Sequence, residues 1–310
     1  MKTKTQQDRL PARTKNGYTV GKFKTDLAAW LLVVPTLVLL VFYTILPLIG
    51  SVQMSFYQTR GMELQSWLGL KNYRDVINFP SFQRATQNCL VYCLWSLLIG
   101  LMLPVFLAAI NCETTVFRGG FRTIGRLPGI MPTIAAYLIL SFFFRKDAMG
   151  VLNVLFAKIG LGPFQWFNNS KWTILWIIVC MTWKGAGGTV LTYVAAMSSV
   201  SPELYEAAAL DGASPWRRFW TITWPAIKGQ FALLFIMQII GVFQVLYEPM
   251  VLTSGGPNDA SISLGLLMYN FAFRDANFAR GCAVGVIMSV FLILLSVVYF
   301  AIKNKVDKDA

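Results

Sequence analysis

Apolar residues gather in six long runs separated by shorter polar stretches. The runs lie near Leu27–Gly50, Asn88–Ile110, Ile124–Phe144, Trp172–Ala195, Phe231–Leu252 and Arg280–Ile302. Each approaches the roughly 20 apolar residues that a helix needs to cross a bilayer. The predicted fold class is therefore all-α: a polytopic membrane protein with six transmembrane helices. The third run is the least regular, because Pro128 and Pro132 sit near its start. The first is longer than the ~7–15-residue apolar core of a signal peptide and lacks a small-residue cleavage site, so it reads as a retained span. No internal repeat, low-complexity tract or linker interrupts the pattern. The organisation expected is a polar N-terminal segment (residues 1–26), a six-span domain (27–302) and a short tail (303–310).

Composition supports lipid as the solvent. Of 310 residues 56% are hydrophobic and 13% charged, against about 25% charged in an ordinary soluble domain. The net charge of +13 would suggest nucleic acid in a soluble protein. Here the basic residues flank apolar runs and form no basic face interleaved with stacking aromatics, which excludes nucleic acid as a partner. With the N-terminus inside, segments 1–26, 111–126, 196–228 and 303–310 carry 16 Lys and Arg, against nine in 51–87, 145–171 and 252–278. Both termini are thus expected in the cytoplasm. There is no histidine, and Cys89, Cys93, Cys112, Cys180 and Cys282 form no CxxC pair, so neither a disulfide framework nor a metal site is expected.

The segment between the fourth and fifth runs is the most informative. Ser201 and Pro202 form a helix start, Glu203 lies in its first turn, and Gly212 is a natural stop. Leu204, Ala207 and Ala208 share one face. Ser214 and Pro215 begin a second helix, which Pro225 is expected to limit and which carries Trp216, Phe219 and Trp220 beside Arg217 and Arg218. Two short helices this apolar need a surface to pack on. By periodicity alone that surface is the chain's own bundle, the membrane interface or a partner protein.

The residues Glu206-Ala207-Ala208, then Gly212, then Ile222 and Pro225 resemble the EAA motif of permeases of binding-protein-dependent ATP-binding-cassette importers. Trp224 stands where that family usually has leucine. Gly69-Leu70-Lys71-Asn72-Tyr73, Gly150-Val151-Leu152-Asn153 and Leu252-Thr253-Ser254-Gly255-Gly256-Pro257 resemble, in order, further elements of its carbohydrate branch, specifically the MalF-type subunit. The resemblance implies a permease subunit of a bacterial importer for a sugar or oligosaccharide, set in the plasma (inner) membrane among its lipid. A glycerol-3-phosphate importer of the same branch is the alternative. It implies that loop 196–228 is a coupling helix docking on the ATPase, with Glu206, Ala207, Ala208, Asp211, Gly212, Ile222 and Pro225 as its coupling residues. The implied partners are an ATPase dimer, a second, MalG-type permease and an extracytoplasmic solute-binding protein.

No Walker A loop is present, since Gly21-Lys22 is followed by Phe23 and lacks the preceding glycine. The chain is expected to bind no cofactor of its own, ATP and magnesium being used by the partner ATPase. No histidine base, HExxH or intramembrane acidic pair suggests an enzyme. A self-sufficient secondary transporter would leave the loop unexplained. For the translocation path, Lys184 lies in the fourth run beside Gly185, Ala186, Gly187 and Gly188. These small residues point either to close helix packing or to a helix break opening a polar pocket. The resemblance places substrate contacts in this run and the fifth, with Gly188 and Thr189 leaving a roomier pocket. In the fifth run Gln238 shares a face with Val242 and Val245, while Gln244 and Tyr247 point elsewhere and are candidate path residues on the side facing the partner permease.

Overall fold

The computed structural model describes residues 20–113 and 118–309, so most of the basic N-terminal segment, part of the 111–126 segment and Ala310 lie outside the described residues. The chain divides between Ser51 and Val52 into two compact units. The first holds an apolar helix, Val20–Leu40, that widens to a π turn at Val41–Ile45 and resumes at Leu46. Ser51 donates to the carbonyl of Pro47 (2.8 Å), the local bond a hydroxyl makes inside a helix.

Among the described residues, five helices are long and apolar enough to cross a membrane: Ala29–Met54, Pro80–Cys112, Thr173–Met197, Pro215–Phe243 and Phe278–Ala301. The remaining expected span is built in two halves, Arg118–Ile130 and Thr133–Phe143. Pro132 is the cause: it lacks an N–H and its ring crowds the carbonyl four residues back. The chain is extended there, with φ −54° and ψ 134°.

In the second unit, lipid-facing and core-facing positions separate cleanly. Along Pro80–Cys112, Leu90, Leu94 and Leu98 form an exposed stripe at i, i+4, i+8, whereas Cys89, Tyr92 and Ser96 are buried. That helix widens into a π turn at Ser96–Leu101. One core cluster joins Cys89, Phe243, Leu267, Phe271 and Val284. A second joins Tyr92, Tyr137, Trp166, Ile177 and Ile178. A third joins Val105, Tyr193, Met197, Phe219 and Ile227.

The motifs between spans prove to be stitching points. An antiparallel hairpin, Tyr57–Arg60 with Glu63–Trp67, was not anticipated from the sequence. Asn72 of the Gly69–Tyr73 element fastens its base, donating to the carbonyls of Ser55 and Tyr57 (2.9 Å each). Asn153 does more. Its amide donates to the carbonyls of Arg145, Asp147 and Phe164, and its oxygen accepts from Phe164 N–H and Trp166 Nε1. Gly150 is required beside it, because a Cβ there would lie 2.5 Å from the Arg145 carbonyl. On the rim of this lobe, a hydrogen bond from the Arg145 guanidinium holds the Asp147 carboxyl below its ordinary range.

The segment after the fifth span departs most from expectation. The helix stops at Phe243, not Leu252, and a short helix, Tyr247–Leu252, follows a break at Gln244–Leu246. The carbonyl of Val245, freed by the break, accepts from Ser263 Oγ at 2.5 Å. Gly265 lets the backbones meet, since a Cβ would approach that same oxygen to 2.7 Å. The intervening Thr253–Ser263 turn is tied to the second span by Asn88, bonded to the carbonyls of Asp259 and Ile262, and by Tyr92, bonded to the carbonyl of Ser261.

Candidate functional site

Two features stand apart from the packing: an exposed two-helix loop and a polar cavity between the helices. The loop's first helix is Pro202–Leu210, with Glu203 in its first turn. Ser201 precedes it but caps it with no side-chain hydrogen bond, contrary to expectation. The end is a Schellman turn: Ala213 N–H bonds the carbonyl of Ala208 (2.9 Å) and Gly212 N–H that of Ala209 (3.1 Å). This needs a left-handed residue, and Gly212 has φ +74°. Glu206, Ala207, Asp211 and Gly212 are exposed, Ala208 is half-buried, and Leu210 is 90% exposed. An apolar tip this bare on an ordered helix invites a partner.

The second helix begins at Pro215, where Ser214 Oγ accepts from Arg217 N–H (3.3 Å). Pro225 does not limit it. A π turn, Phe219–Thr223, carries the chain past it, with Trp224 N–H bonded to the carbonyl of Phe219, and the helix runs on to Phe243. The wider turn absorbs the proline's missing donor. Ile222 is half-buried and Pro225 exposed on this helix. A chain of rings, Trp216, Phe219, Trp220, Trp224, Phe231, links loop to span at centroid spacings of 5.0–6.3 Å. Tyr205 Oη lies 3.0 Å from Thr223 Oγ1 and ties the first helix to the second. Beneath the loop lies a cleft of about 770 Å³ whose walls include Glu206, Tyr205, Met197 and Arg218.

The cavity encloses about 380 Å³, within the range of ligand pockets. Of the residues singled out for the path, it is lined by Lys184, Thr189, Gln238, Gln244 and Tyr247. Gln238 donates to Ser96 Oγ at the π turn of the second span. Val242 and Val245 are buried in the wall beside it. Gln244 and Tyr247 reach the cavity because the helix breaks there, which helical spacing could not show.

Gly187 and Gly188 do not line it. The helix Thr173–Met197 passes through Lys184–Thr189 without the break that a pocket at these residues would need. Gly187 instead permits a close crossing, for a Cβ there would lie 2.0 Å from the Gly125 carbonyl. Gly188 has open space at its Cβ position.

The sequence pattern passed over Glu248, which also lines the cavity. Its Oε1 accepts from Tyr137 Oη at 2.9 Å, and Tyr137 is itself buried. The available signal was a carboxylate inside the apolar Phe231–Leu252 run, a placement that costs free energy and is usually functional.

Residues 95–310 match a family described as "Binding-protein-dependent transport system inner membrane component". The chain is similar to the lactose transport system permease LacF of Rhizobium radiobacter, at 30% identity over 89% of this chain and 93% of that protein. It is similar to the trehalose/maltose permease MalF of Thermococcus litoralis, at 26% identity over 91% and 95%. Among solved structures, a bacterial importer of the acidic polysaccharide alginate superposes with a TM-score of 0.82 and 26% identity, covering 92% of this chain and 98% of that one.

Proposed function

The chain belongs to the family of binding-protein-dependent transport system inner membrane components, and on that premise we propose that it is a permease subunit of an ATP-driven importer of a sugar or oligosaccharide. It is a transporter component rather than an enzyme. Lactose, arabinooligosaccharide and trehalose/maltose permeases among its relatives support the carbohydrate class. A related importer solved in complex with a periplasmic protein carrying an alginate pentasaccharide supports a solute-binding protein as partner.

The observation that carries the reading is the pairing of an exposed loop with a polar cavity on one continuous helix. Pro215–Phe243 begins in the loop and carries Gln238 into the cavity. In this reading Glu206, Ala207, Ala208, Asp211 and Gly212 form the knob that seats on an ATPase, with Ile222 and Pro225 fixing the second helix behind it. ATP and magnesium act on that ATPase and not on this chain. A second, MalG-type permease completes the path, since one wall with Gln238, Lys184 and Tyr247 cannot surround a sugar. Both termini face the cytoplasm, following the basic-residue bias.

The test is co-expression with a Walker-motif ATPase, a second permease and a receptor, followed by reconstitution. ATP-dependent glycan uptake that needs every subunit is the expected result. Uptake by this chain alone would overturn the proposal in favour of a self-sufficient transporter.

A further inference from the structure

Resting on that reading, we propose that Glu248 is a charge-selecting residue of the cavity: it accepts hydrogen bonds from the hydroxyls of a neutral glycan and turns away glycan units that carry a carboxylate. The carboxylate is held from one side only. Tyr137 occupies Oε1, and Oε2 has no donor among the described residues. Its position is fixed by short elements, Tyr247–Leu252 after the break in the fifth span and Thr133–Phe143 after the break in the third. Tyr137 is anchored in the core with Ile177 and Ile178, so the acceptor is aimed and not merely present.

Lys184 lines the same cavity. Neither side chain has an ion-pair partner among the described residues, and they do not pair with each other. One cavity thus presents one cation and one anion, each with unused hydrogen-bonding capacity. A hydroxyl both donates and accepts, so a neutral polyol can satisfy both groups at once. A uronate would satisfy Lys184 but bring a second negative charge into the same cavity as Glu248. At an effective dielectric of about 20 and an assumed separation of ~6 Å, repulsion from Glu248 alone lowers occupancy on the order of 100-fold, and attraction to Lys184 offsets part of it. A glycan without net charge leaves the balance intact.

The experiment uses both permeases and the ATPases in nanodiscs without the receptor, so that receptor selectivity does not enter. Saturation-transfer NMR titrations compare a uronic-acid trisaccharide with its methyl ester, which differ in charge and little in shape. The wild type is expected to bind the ester at least ~10-fold more tightly than the acid. Glu248→Gln should remove or invert that preference, Glu248→Asp should keep it, and Lys184→Met should widen it. An unchanged acid-to-ester ratio in Glu248→Gln, no binding of either probe, or a complex that falls apart in Glu248→Gln while Glu248→Asp binds acid and ester alike would each overturn the assignment. Uptake of neutral glycans by the receptor-containing wild type is measured separately. If that succeeds while the ratio stays fixed, the importer reading stands and the role of Glu248 falls.

Discussion

Replacing Asn153 with aspartate changes one NH₂ to an oxygen and is nearly isosteric, yet it should unfasten the whole Arg145–Trp166 lobe. The wild-type amide donates to three carbonyls at 2.9–3.1 Å, and its oxygen accepts two further bonds. The side chain is 1% exposed. Aspartate keeps the two accepted bonds and sets an acceptor against three carbonyls. Each net hydrogen bond is worth about 0.5–1.5 kcal/mol and each buried group left unsatisfied costs about 1–3 kcal/mol. At the low end of both ranges, two lost donors and three stranded carbonyls already sum to roughly 4 kcal/mol, before any charge burial. At ~1.4 kcal/mol per decade, local opening should rise about 1000-fold. Hydrogen exchange of the Val151–Ala157 helix and of the Phe164 amide reads this directly. Asn153→Ala, which strands the same three carbonyls and the Phe164 and Trp166 donors as well, should open the lobe at least as far. Exchange within about threefold of wild type in both variants would refute the keystone role.

Three further outcomes follow from the geometry. Gly212→Val forces a β-branched residue into left-handed backbone, at about 1–2 kcal/mol with no steric clash; like Glu206→Lys it should abolish uptake and release the ATPase while the permease stays inserted, as judged by pull-down and membrane fractionation. Gly187→Ala drives a methyl into the Gly125 carbonyl and should cut thermal stability, whereas Gly188→Ala meets open space and should leave the melting temperature within about 1 °C; equal effects would contradict the crossing. A cysteine placed at the exposed Asn258 on a cysteine-free background should label from outside the cell, and labelling only from the cytoplasm would reverse the topology.

The long apolar runs and the Ser201–Pro225 loop were legible because each is written in local residues: run length, a cap, a helix-ending glycine. The misreadings trace to partners far away in sequence. Span five looked continuous to Leu252, but Ser263 and Gly265 draw off the Val245 carbonyl and end it at Phe243. Pro225 looked like a terminator, but a π turn absorbs it. The glycines after Lys184 left close packing and a helix break both open, and Gly125 on another helix decides for packing at Gly187. Glu248 was overlooked because its worth depends on Tyr137, 111 residues away.

The unbroken helix from Pro215 to Phe243 also sets a mechanical ratio. Its 29 residues extend roughly 43 Å at about 1.5 Å per residue, against a hydrocarbon core of about 30 Å. In the importer reading the helix is a beam with one end outside the lipid and the other inside. A rocking of about 10° around its midpoint swings either end by roughly 3–4 Å, more than the ~0.5 Å over which a hydrogen bond holds its length. The hydrogen bond between Gln238 and Ser96 lies toward the inner end, and a rocking of this helix alone, past a second span that stays in place, would part it.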